Sequence, residues 1–332
     1  MIFQTPILAL LLVAGLAAVA GTWAAGFALR VLRGWDLARA TPRQIAMERA
    51  TELVSTLFAA VMLAELAALL LFVFNADRMA GLFVGAMCAV GTLSVNAYGF
   101  PALYAKIAVF FGAGLWLMLD RADRMGRDYP LTRVKYAALL ALVPVIWLDF
   151  GLELGYFLGL KTDVITSCCS KLFTPANPGL ADDMAALAPG AALWLLGGAG
   201  ALVAALGALV HRTGRFYGLF ALGGAGFFAA ALVAIVAVIS PYIYEHPTHH
   251  CPFCILKPEY GYYGYLLYIP LFLGTALALG AGAVAPFARR ESLSARLPGV
   301  LRAQARGAVI CYAAFGAATL WAIARSGLIL FG

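Results

Sequence analysis

The chain has 332 residues, of which 64% are hydrophobic and 12% charged, with a net charge of +7 and a mean hydropathy of +0.91. So apolar a composition excludes an ordinary soluble globular domain. The basic residues lie in alternate loops without interleaved aromatics, so a nucleic-acid surface is excluded as the source of the charge.

A bilayer core about 30 Å thick takes roughly 20 apolar residues in a helix. Eight runs of that kind occur, near 4–29, 51–74, 101–120, 136–160, 186–210, 216–240, 262–288 and 307–330. They are continuous, whereas membrane-barrel strands would alternate every second residue. The expected fold is therefore all-α: a polytopic integral membrane helical bundle in the lipid bilayer, forming one domain over 1–332 without an appended soluble domain. Its first run ends in "LAAVAG" but lacks a positive leading region, so it reads as an uncleaved helix and not as a secretory signal.

Between the first two runs, "RATPRQIAMERATELVSTLF" carries a helix start, with Thr41 as cap, Pro42 at the first helical position and Gln44 three residues after the cap. Residues 79–100, "MAGLFVGAMCAVGTLSVNAYGF", are apolar but rich in glycine and closed by Pro101. Counted as a full span they would move Arg121, Arg124, Arg127 and Arg133 to the side opposite the other basic loops. The stretch is therefore expected to be re-entrant or surface-lying, a backbone tolerated where it packs in protein or lines a wet cavity. Seventeen of the 23 basic residues then fall in four alternate loops. The positive-inside rule makes those loops cytoplasmic and puts both termini, the 79–100 segment and the loops 161–185 and 241–261 outside. In a bacterial inner membrane that side is the periplasm, where disulfides persist.

Five of the six cysteines are assigned to this outer side: Cys88, Cys168, Cys169, Cys251 and Cys254. Cys311, in the last run, reads as a small packing residue. "HHCPFC", at 249–254, adds His249 and His250, with His246 just before. Adjacent Cα atoms are about 3.8 Å apart, below the usual disulfide range of roughly 4.4–6.8 Å, so a Cys168–Cys169 bond would be strained. Four loop cysteines allow three connectivities.

Cys-Pro-Phe-Cys resembles the active-site pairs of thioredoxin-like and glutaredoxin-like enzymes, in which the first thiol has a lowered pKa. No strand-helix pattern of that fold surrounds it. Two outer cysteine pairs on a helical membrane bundle are analogous in layout to quinone-coupled disulfide-forming enzymes and vitamin K epoxide reductases. The leading expectation is thus a thiol–disulfide relay. Cys251 attacks, Cys254 resolves, Cys168 and Cys169 pass electrons on, and Cys88 is a further station. A membrane quinone or a periplasmic thioredoxin-like protein would be the partner. The same atoms suit a soft metal, copper or zinc, delivered by or to a metallochaperone, with His246, His249, His250, Cys251, Cys254, Cys168, Cys169, Cys88 and Met87 as candidate ligands. A purely structural disulfide between the loops is the third reading.

Ionisable residues within apolar runs are costly in lipid and are functional candidates. Asp149 and Glu153, four residues apart, share a helix face. With Glu65 and Lys106 they are expected to form a buried charge cluster, either structural or part of a proton or cation route. The tyrosines of "YGYYGYLLY", 260–268, read as an interfacial belt, with a quinone site as the other reading.

Overall fold

The computed structural model describes residues 4–37, 41–126, 128–161, 164–166 and 180–330. The described residues form helices, turns and loops, with no strand among them. Among the described residues, eight helices are long and apolar enough to cross a membrane. Leu12, Leu16, Val19, Leu222 and Trp321, among other large apolar side chains, stand exposed on them. An outward apolar surface is what helices in contact with lipid present.

By contacts the chain divides into two compact units. The first comprises 1–75, 96–161 and 286–298. It holds α1 (Thr5–Gly34), α2 (Pro42–Arg78) as far as Asn75, α4 (Gly99–Asp123) and α5 (Thr132–Leu158). Helix α2 begins as its cap chemistry dictates: Pro42 opens it, and the Gln44 N–H donates to Thr41 Oγ1 at 3.2 Å. Its core is aromatic, with Phe58 edge-on to Trp116 at 4.7 Å and Phe27 edge-on to Tyr136 at 5.3 Å.

At the turn between α4 and α5 the chain buries a second charge cluster. Lys135 Nζ lies 3.0 Å from Asp120 and 2.7 Å from Asp123. Asp123 also accepts from the Leu131 N–H and the Thr132 hydroxyl, and Arg124 Nε lies 2.7 Å from Asp120. Two cations here meet two carboxylates, which fastens a short turn between antiparallel helices.

The second unit comprises 76–95, 162–285 and 299–332. After α2 the chain makes a 3₁₀ turn (Met79–Leu82), an extended stretch, and the five-residue α3 (Ala89–Leu93). No helix of spanning length lies within 79–98. There follow α6 (Leu180–Ala185), α7 (Pro189–Thr213), α8 (Tyr217–Ala234) and α9 (Ser240–Tyr244), the last two joined by a π-helical turn (Ile235–Ile239). Helices α10 (Tyr263–Val284) and α11 (Leu297–Arg325) complete the order. Phe227 on α8 packs against Tyr312 and Phe315 of α11. Cys311 is half-buried in this packing, its Cβ beside Gly274.

Candidate functional site, a three-thiol centre

Two segments of the second unit, 163 residues apart in sequence, bring Cys88 and Cys251 together with Sγ atoms 3.6 Å apart. With Cys254 they form a group whose sulfurs all lie within 4.8 Å of one another. None of the three is joined in a disulfide, and they are 0%, 1% and 5% exposed for Cys88, Cys251 and Cys254.

Local structure explains why each sulfur points inward. Cys88 is the extended residue before α3, and its carbonyl accepts from the Gly91 N–H at 3.0 Å. The stretch before it is clamped where the Thr166 N–H donates to the Val84 carbonyl at 2.9 Å. Gly85, next along, has φ +84°, and a Cβ there would lie 2.0 Å from the Thr166 carbonyl oxygen. Only glycine fits a left-handed backbone pressed against another main chain.

The Cys-Pro-Phe-Cys stretch is pinned by its own carbonyls. Tyr244 donates to Cys251 O, and Tyr268 donates to Pro252 O at 2.8 Å. A 3₁₀ turn then begins at Cys254, closed by Leu256 N–H to Phe253 O at 3.0 Å and Lys257 N–H to Cys254 O at 3.1 Å. Gly264 of α10 lets this turn seat closely, since a Cβ there would lie 2.7 Å from Leu256 Cδ2.

The histidines divide. His249 stacks on Tyr244 with ring centroids 4.1 Å apart, and its Nε2 is buried without a hydrogen-bond partner. His250 Nδ1 lies 3.0 Å from the Val236 carbonyl, within the π-helical turn. A carbonyl only accepts, so this nitrogen carries the proton and leaves Nε2 as the lone-pair nitrogen of the neutral ring. His246 is exposed and pairs with Thr248. Met87 is 70% exposed, in contrast to the enclosed sulfurs. Cys168 and Cys169 lie outside the described residues.

The electrostatics centre on Cys251. Hydrogen bonds from the Cys254 and Cys88 thiols outweigh the cost of burial, and His249 adds to them, so its pKa falls well below the ordinary thiol range. Tyr244 also lines a cavity of about 420 Å³ whose lining includes Glu245, Glu259, Tyr260, Tyr263 and Arg325. Of the tyrosines of the 260–268 stretch, Tyr260 and Tyr263 line this cavity, Tyr268 anchors the backbone at Pro252 and Tyr262 is exposed.

The first unit holds the second constellation. Lys106 Nζ lies 3.3 Å from Glu65 Oε2, 2.6 Å from Asp149 Oδ2 and 2.9 Å from Glu153 Oε2, with all four side chains fully buried. The four intramembrane candidates named from sequence thus meet at one point.

The fold and the sulfur cluster define an all-helical chain of membrane-spanning character with an enclosed three-cysteine centre. The chain matches no protein-family model, and no curated protein or solved structure is significantly similar to it.

Proposed function

We propose that the chain is an integral membrane protein that binds a soft metal ion, Cu(I) or Zn(II), through Cys88, Cys251 and Cys254. The observation that carries this reading is the enclosure of three sulfurs within 4.8 Å of one another. A tetrahedral zinc site with Zn–S bonds of about 2.3 Å sets its sulfurs about 3.8 Å apart. The 3.6 Å between Cys88 and Cys251 needs little adjustment to meet that. Thiolates are the ligands that Cu(I) and zinc prefer. The His249 ring, which interacts with Cys251 and has a buried and unpartnered Nε2, is a candidate to complete the set.

The distribution of basic residues supports an orientation with the cysteine centre outside and both termini on the same side, at the periplasmic face of a bacterial inner membrane. Capture of the ion, or its delivery to or from a periplasmic metallochaperone, suits this arrangement better than translocation. Outside the cysteine segments the apolar runs contain few soft ligands.

A second reading, thiol–disulfide exchange, is favoured by one observation: Cys251, with its lowered pKa, lies within easy reach of Cys88. Joining the Cys251 thiolate to the Cys88 thiol would pass two electrons and the one remaining thiol proton to a quinone, which takes its second proton from water, or to a thioredoxin-like disulfide. Enclosure of all three sulfurs weighs against direct attack on a protein disulfide, because exchange requires access as well as a thiolate.

X-ray absorption on protein loaded anaerobically with Cu(I) or Zn(II) tests the metal reading. A shell of three sulfurs is expected, falling to two in Cys88→Ser. A shell poor in sulfur and unchanged by that substitution would overturn it.

A further inference from the structure

The two buried charge clusters of the first unit are built differently. Around Lys135 the charges balance, and Asp123 is further satisfied by a backbone N–H and a hydroxyl. Around Lys106 one ammonium faces three carboxyl groups. Glu65 Oε1, Asp149 Oδ1 and Glu153 Oε1 are buried without a hydrogen-bond partner, and Glu153 Oε2 pairs with Lys106 at 2.9 Å. On the same face of α5, one turn beyond Glu153, the hydroxyl of Tyr156 is also buried and unpartnered.

Were all three carboxyls ionised, the centre would carry two surplus negative charges among apolar side chains. Each uncompensated ion in such surroundings costs several kcal/mol even after relaxation. Among the described residues of the packed helices, no cation other than Lys106 pairs with these carboxyls. Between Pro42 and Asn75, α2 has no basic residue beyond Arg49, and the only basic residues of α1 are Arg30 and Arg33, near its other end. Gly15 and Gly21 of α1, on the length facing α5, pack on Phe150 and Val143. On α4, the titratable neighbour nearest Lys106 in sequence is Tyr104, which is exposed. On α5, Arg133 binds the Trp35 carbonyl at the end of α1, and Lys135 pairs with Asp123 at the α4–α5 turn, both at the opposite end. A metal ion fits poorly, because the ammonium already occupies the point on which the carboxylates converge and a hard cation wants six or more oxygens.

We propose that Glu65, Asp149 and Glu153 around Lys106 form a proton-binding site that holds up to two protons on its carboxyl groups at neutral pH. Protonation supplies the missing positive charge and turns acceptor-only carboxylates into donors that can use the orphaned oxygens. A proton store within a helix bundle is the element that a proton-coupled membrane protein requires.

Infrared difference spectroscopy on the purified protein at pH 7, with exchange into heavy water, is the test. A protonated-carboxyl C=O band is expected in the wild type. Glu65→Gln, Asp149→Asn and Glu153→Gln should each remove part of it, and the triple variant all of it. Lys106→Gln, which deletes the cation without touching a carboxyl, should strengthen the band. Circular dichroism selects the variants that fold. A folded wild type without the band, a band indifferent to these substitutions, or a band displaced by sodium ions would overturn the proposal.

Discussion

Cys251 sits where burial and hydrogen bonding oppose each other, and the hydrogen bonds from Cys254 and Cys88 win. Folding therefore lowers its pKa below the unfolded thiol value of about 8.5. The thiolate then contributes stability that is complete above that value and is lost as pH falls through the folded pKa. The thiolate ultraviolet absorbance of metal-free protein, wild type minus Cys251→Ser, should be fully developed at pH 7. A difference that develops only near pH 8.5 would contradict the assignment. At this scale the sequence was informative where chemistry is local. "CPFC" announced itself by spacing, and Cys88 could be named from sidedness. The separate fates of His246, His249 and His250 were not legible, because they depend on a Tyr244 ring and a Val236 carbonyl that only folding brings near.

The elements that carry the sulfurs are short and owe their shape to particular main-chain constraints. Gly85 is the sharpest of these, combining a left-handed φ with a carbonyl 2.0 Å from any added Cβ. Gly85→Ala should cost at least about 1–2 kcal/mol and expose Cys88 to alkylation. Gly81→Ala, at a position with open space around it, should do neither. Melting temperature and Cys88 alkylation rate, measured in the same detergent, read both, and equal behaviour of the two variants would contradict the clamp. The alternation of basic loops made it legible that 79–100 would hold no spanning helix, and its glycines and Pro101 agree with that. The five-residue α3 and the Val84–Thr166 hydrogen bond were not, since a pairing between segments some 80 residues apart leaves no local periodicity. The π-helical turn at Ile235–Ile239 was equally hidden inside a uniformly apolar run.

For the whole molecule, hydropathy carried the architecture, because a bilayer imposes helix length and composition on each span separately. Charge carried less. Lys135, whose charge the count of basic residues in loops treats like any other, is buried between Asp120 and Asp123, a pairing set by the tight α4–α5 turn. The Lys106 cluster was legible because four ionisable residues in apolar runs must find one another. The metal reading, in turn, requires that two distant segments of one unit enclose a single ion. Metal content measured with a thiol count, on anaerobically purified wild type and Cys251→Ser, tests this most directly. One equivalent of copper or zinc in the wild type, lost in the variant, is the predicted result. Protein that folds without metal, does not acquire it from buffered Cu(I) or zinc, and cycles its cysteines between thiol and disulfide with a quinone would contradict it.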